Sequence, residues 1–255
     1  MDFHFFSKPK VTEFELVTLI SDGEKWEIER KDAHLPKGLR IGAIATMPES
    51  VFIAAQAFGS VIPSRTGDFG IKSISAIHVP LVPGMKVYRA YLTVCGDNDN
   101  CSFIQATVQI REETSDKVEK LIELAYFTTV FTDYPSSEED WNNYLGEEGI
   151  GSINFTDNDG HEYHRVTGRG EHCRCLTAEE KGIITPAGDK GWASELSFHV
   201  YERELQDGSP EFCTIEVFEV KSSNVMNEES GGVRFMVGIP LPLDIVLIQT
   251  NSIRS

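Results

Sequence analysis

Short apolar–polar alternations, punctuated by turn formers, run through most of this chain, and a period of two suits a strand far better than a helix. Residues 86–94 (KVYRAYLTV) and 102–110 (SFIQATVQI) alternate and are joined through turn formers at 96–100. This predicts a hairpin. Ile104, Ala106, Val108 and Ile110 fall on one face and Gln105, Thr107 and Gln109 on the other. Such a pattern predicts one buried and one wet face. Further on, SINFT turns through Asn-Asp-Gly into HEYHRV. ELSFHVYEREL turns through Gln-Asp-Gly-Ser-Pro into EFCTIEVFEV, and VRFMVGI and LDIVLIQT follow. Turn signals at this interval predict an antiparallel sheet.

Helical signals are fewer. Thr46-Met-Pro-Glu49 has the form of a capped helix start before ESVFIAAQAF. In SSEEDWNNYLGEEG, Ser136 is placed to cap, Glu139 to close a capping box and Gly146 to stop the helix. Trp141, Tyr144 and Leu145 form its apolar stripe, which predicts a largely buried Trp141. KVEKLIELA puts Val118, Leu121, Ile122 and Ala125 at helical spacing before the β-branched AYFTTVFT. A short helix or turn giving way to a strand is expected there. The fold class expected is α+β, mainly antiparallel β with a few short helices, as one compact domain or two β-rich lobes. Residues 1–36 form an irregular lead-in with one amphipathic stretch, 37–135 a first lobe and 136–255 a second. With 255 residues, 40% of them hydrophobic, the chain can bury a real core.

Charge narrows the partners. Lys+Arg number 23 against 40 Asp+Glu, a formal net charge of -17. Nucleic acid draws basic surfaces, and no basic stripe is present. The acidic runs in SSEEDW, GEEG, TAEEK and NEES predict instead a protein partner carrying a basic patch. No window reaches the roughly 18 continuous apolar residues of a membrane span. Peripheral contact through Phe3, Phe5 and Phe6, with Lys8 and Lys10 behind them, is left open. The start carries an acidic residue at position 2 and no secretory signal, so the cytoplasm is the expected location. The odd count of 5 cysteines in a chain of this size fits a reducing compartment. Cys95 and Cys101 flank a turn that, as a hairpin, would bring them close enough to bridge, and they are expected as reduced thiols.

Chemistry concentrates in GHEYHRVTGRGEHCRC, residues 160–175, with His161, His164, His172, Cys173 and Cys175. On a strand, His161 and His164 point to opposite faces and do not chelate together. His172, Cys173 and Cys175 are weak metal candidates: a C-x-C pair lacks the usual spacer, and no second pair follows. No metal and no other cofactor is expected. Asp157 and Asp159 open like a calcium loop, but Glu162 stands where that loop needs Gly and Gly168 where it needs a bidentate Glu. There is no nucleophile elbow or phosphate loop, and the glycines of GEEGIG at 146–151 follow a helix rather than a strand. His199 is expected on the sheet surface. Trp141, Trp192 and Tyr201 are expected in core or edge packing. No catalytic residue is nominated.

GLRIGA at 38–43, KVYRAYL and FIQATV, YPSSEEDW at 134–141, GIGSINF with HEYHRV, VYERE with FCTIEVFEV, and VGIPL occur in an order that resembles the YjfK-like bacterial proteins. The likeness spans about residues 35–250. That family is a domain of unknown function, and the resemblance brings no catalytic residues. It implies a cytoplasmic accessory role beside membrane-stress or membrane-channel systems. The expected function is therefore a non-enzymatic interaction protein, with a metal-dependent or small-molecule-processing enzyme using the 161–175 loop as the alternative.

Overall fold

The computed structural model describes residues 16–21, 24–65, 67–80, 82–93, 101–113, 116–145, 150–224, 231–244 and 246–249. Among the described residues, strands β1 (Leu16–Ser21) and β2 (Glu24–Glu29) pair only with each other. After them come β3 (Ile44–Met47), α1 (Glu49–Ala57), β4 (Gly67–His78), β5 (Met85–Leu92), β6 (Ser102–Glu113) and β7 (Asp116–Asp133). Helix α2 (Glu138–Leu145) leads to β8 (Asn154–Thr156) and β9 (Glu162–Arg165). Strands β10 (Leu176–Ile183), β11 (Gly191–Glu204), β12 (Pro210–Ser223), β13 (Gly231–Leu241) and β14 (Leu247–Gln249) complete the chain.

The α+β expectation is corrected. The sheet runs β4-β5-β6-β7-β13-β12-β11-β10 and returns to β4, a closed antiparallel barrel of 8 strands. Closure is made where Ile74–His78 of β4 pairs with Glu179–Ile183 of β10. These partners lie far apart in sequence, which is why alternation revealed the strands but not the barrel. Register shifts at Ile71/Ser73, Thr107/Val108, Ala193/Ser194 and Phe235/Met236 supply the local twist a curling sheet needs. At Gly182, opposite Trp192, a Cβ would stand 2.2 Å from the indole ring. Glycine there lets Trp192 lie flat across the seam.

Strands β4–β7 and β11–β13 have a core on each side. Outward side chains of β4–β7 (Ile71, Ile104, Leu124, Tyr126) meet α1 and β3, where Phe52 packs edge-on against Tyr126 at 5.1 Å. On the far side, β8, β9 and α2 cover β11–β13 around Tyr163, Tyr201 and Ile215. The inward side chains fill the lumen. Gln105 and Thr107, expected on a wet face, point into it, and Thr107 is buried. A closed barrel has an inside, so a polar residue on a strand's second face need not meet solvent.

Several local expectations shift. The stretch 116–133 is strand throughout, because the ladder with β6 over residues 116–128, joined by β13 from Leu124 on, outweighs the helical spacing of 118–125. Helix α1 begins after Pro48 with no side-chain cap; the Thr46 hydroxyl donates to Asp68 instead, at 2.6 Å. In α2 the capping box sits one residue later than expected. The Asp140 amide donates to the Ser137 hydroxyl at 3.1 Å, and the Ser137 amide donates back to the Asp140 carboxylate at 3.1 Å. Trp141 is half-buried rather than buried. Phe3, Phe5, Phe6, Cys95 and Gly146 lie outside the described residues.

Candidate functional site: a charged layer between two chambers

Four strands place single polar or charged side chains at one level of the lumen. Ser75 is on β4, Arg89 on β5, Glu180 on β10 and Glu216 on β12, and all are buried. Strands β5 and β12 are diametrically opposed in the barrel order, so the 2.8 Å contact from Arg89 Nη2 to Glu216 Oε2 crosses the lumen. Arg89 Nη1 stands 3.8 Å from Glu180 Oε1, which also accepts from the Tyr91 hydroxyl at 2.7 Å and from Ser75. Arg234 of β13 completes the layer, its Nε 3.9 Å from Glu216 Oε1 and its guanidinium 3.9 Å above the Phe218 ring. Two basic side chains, Arg89 and Arg234, stand with two acidic ones, Glu180 and Glu216, so their formal charges balance. Charge balance of this kind is what makes its burial tolerable.

The environment tunes Glu216 and Tyr91. Burial works to raise the Glu216 carboxyl, and Arg89 and Arg234 more than reverse this, holding it below its usual range. Burial and the Glu180 charge push the Tyr91 hydroxyl well above its usual value, so it remains a donor. Arg89 Nη1, Glu180 Oε2, Glu216 Oε1 and Arg234 Nε are buried with no hydrogen-bond partner in the protein. A polar layer with unused donors and acceptors can still bond to something that enters the lumen.

The layer divides the lumen. On the side of the β4–β5 connection lies a chamber of about 260 Å³ walled by Ile77, Val87, Leu196, Phe198, Val200 and Phe212. Gln105, Thr107 and Thr214 place amide and hydroxyl groups on its wall, and Arg89 reaches it from the layer. Glu123 also lines it, its carboxyl raised by burial. Beyond the layer, toward the β10–β11 connection, a second chamber of about 490 Å³ is lined by Tyr91, Trp192, Phe218, Tyr134, Lys72 and Arg234, among others.

The His/Cys loop lies outside the barrel. Its turn at 157–160 and the β8–β9 pairing match the expected hairpin. His161 bonds Asp157 at 2.9 Å and His164 bonds Asn154 at 2.7 Å, so neither reaches the cysteines. His199, expected on the sheet surface, is fully buried beneath residues 167–173. Its Nε2 lies 3.2 Å from the Cys173 carbonyl oxygen, which can only accept, so Nε2 carries the proton. Nδ1 then accepts from the Thr167 hydroxyl at 3.0 Å. Burial lowers the His199 imidazole and favours its neutral form. The Cys173 Sγ sits 4.0 Å from His199 Nε2 and donates to the Thr167 carbonyl at 3.5 Å. A thiolate–imidazolium pair needs the reverse: a charged ring and a thiol free of other acceptors. Gly151 has φ +118, and a Cβ there would meet the Cys173 carbonyl at 2.4 Å. This loop is a packed latch against β11. His172 forms an isolated bridge with Ser152, and Cys175 is half-buried with its thiol pushed up by burial. Among the described residues, no three of His, Cys, Asp and Glu gather into a metal-binding group.

Sequence reasoning missed the layer. Its signal was present as lone charges inside otherwise apolar strand segments: Arg89 in KVYRAYL, Glu216 in CTIEVF, Arg234 in VRFMV. Comparison with curated proteins and with solved structures returns no match. The DUF2491 family, described as proteins of unknown function, matches residues 17–245, and the chain belongs to that family.

Proposed function

We propose that this protein is a non-enzymatic carrier or sensor that binds one small, mostly apolar molecule in the 260 Å³ chamber of its barrel. The observation that carries this reading is the chamber's construction. Apolar side chains from many strands wall it, and a few convergent polar groups sit on its wall and floor. Ligand sites are built this way, and an eight-stranded barrel is wide enough to hold one small ligand. A cavity of roughly 150 Å³ accommodates benzene, so this one suits a medium-length alkyl chain or a bicyclic ring. Gln105, Thr107 and Thr214 favour an uncharged polar end such as a hydroxyl or carbonyl, because the charges beneath them are already matched. The test is calorimetric titration with 1-octanol. Saturable binding at one site is expected, weakened about ten-fold or more by Val87→Phe, which fills the chamber. Absence of saturation in the wild type, or equal binding by a folded Val87→Phe variant, refutes the reading.

A further inference from the structure

The second chamber differs in chemistry. Among the described residues that line it, the only charged side chains are Lys72 and Arg234, both cationic. This is notable in a chain with 40 acidic residues against 23 basic ones. Lys72 is exposed at the chamber's edge, whereas Arg234 is held deeper, with 18% of its side chain accessible. One face of the Arg234 guanidinium is covered by the Phe218 ring, and its Nε has no hydrogen-bond partner. Glu180 and Glu216 belong to the layer below and do not line the chamber. Tyr91 and Trp192 meet edge to face at 5.8 Å and form an aromatic wall.

From these features we infer a second binding site in the chamber of Arg234 and Lys72, for a small anion that carries an aromatic ring, such as an aryl carboxylate. A guanidinium fixed by stacking on an aromatic ring loses little freedom when it binds a carboxylate, and a charge-assisted hydrogen bond there is stronger than a neutral one. Lys72 at the edge adds attraction that acts through solvent and is screened by salt. The ring of the ligand packs on Tyr91 and Trp192, whose π faces and edges favour offset or edge-on partners. Ser73 and Ser194 add hydroxyl groups to the wall. This site is independent of the apolar chamber, from which the charged layer separates it.

The experiment uses 1-naphthoate and the uncharged 1-naphthamide, which share a shape and differ in charge. Binding to the full chain is followed by calorimetry and by quenching of tryptophan fluorescence. Naphthoate should bind at least about ten-fold more tightly than the amide, and the preference should shrink as salt rises. Arg234→Gln should remove most of that preference, and Lys72→Gln should reduce it about two- to four-fold. Saturating 1-octanol should leave naphthoate affinity unchanged. Equal affinities for acid and amide overturn the inference, as does displacement of naphthoate by octanol. Should Arg234→Gln not fold, the exposed Lys72 decides: Lys72→Glu should weaken naphthoate binding and spare the amide, and an unchanged acid affinity overturns the site.

Discussion

The buried layer is the most informative feature at the scale of single residues, because its members cannot be changed one at a time without consequence. Arg89 contacts Glu216 across the lumen and faces Glu180 on the neighbouring side. Removing Arg89 leaves two carboxylates in the lumen against Arg234 alone. Arg89→Met should cost about 3–5 kcal/mol, whereas the double variant Arg89→Met/Glu216→Met should recover most of that loss. The pH dependence has a definite sign. Because the folded-state Glu216 carboxyl lies below its ordinary value of 4.5, its contribution is fully present above about that pH. It is lost as pH falls through the depressed value. Urea melts from pH 7 to 3 should show an acid limb that moves to higher pH in Arg89→Met. An acid limb unchanged by the substitution would detach Glu216 from the layer.

Elements show where local pattern sufficed and where it did not. The start of helix α2 was legible to within a residue because its N-terminal cap and stripe are local in sequence. The burial of Trp141 was not legible, since α2 lies on the outside of β11–β13 and the indole is only partly covered there. It packs beside Tyr163 and Tyr201 while remaining half-exposed. Full burial would have implied a cost of about 3–5 kcal/mol for Trp141→Ala. Half-burial lowers the expectation to about 1–2 kcal/mol, readable as a shift of the urea midpoint. A loss above about 3 kcal/mol would show that the helix is a deeper part of the structure than its contacts indicate. Strand β7 illustrates the opposite case. Val118, Leu121, Ile122 and Ala125 have helical spacing, yet β7 pairs with β6 over residues 116–128 and with β13 from Leu124 to Asp133. A long ladder of backbone hydrogen bonds to β6 decides a conformation that side-chain spacing alone leaves ambiguous. The candidate site was illegible for a related reason. A lone Arg89 or Glu216 in an apolar strand reads as an irregularity until the barrel order sets them face to face.

The whole molecule is a ring made from two separated stretches of chain. Strands β4–β7, within 67–133, and β10–β13, within 176–241, each supply one contiguous half of the wall. The seams between halves are β7 against β13 and β10 against β4. The outward face of β10–β12 carries Glu179, Lys181, Glu195, Glu219 and Lys221, exposed and paired with one another, a surface suited to water rather than lipid. Among the described residues, no helix is long and apolar enough to cross a membrane. Division of the chain into lobes at 37–135 and 136–255 can be tested directly. The fragment 37–135 would retain most of the outer core beneath α1, losing Ile239, Leu241 and Val246, and would expose the edges of β4 and β7. It would also leave Arg89 without Glu216 and open the inward faces of Tyr91, Phe103 and Phe127 to solvent. Long unpaired edges and uncovered apolar faces favour aggregation over folding. The isolated fragment should therefore lack a cooperative melt and a dispersed amide spectrum, while the intact chain should unfold in one transition seen alike by circular dichroism and tryptophan fluorescence. A cooperatively folded 37–135 fragment would establish a first lobe stable alone and would make the charged layer an interface between it and the rest of the chain.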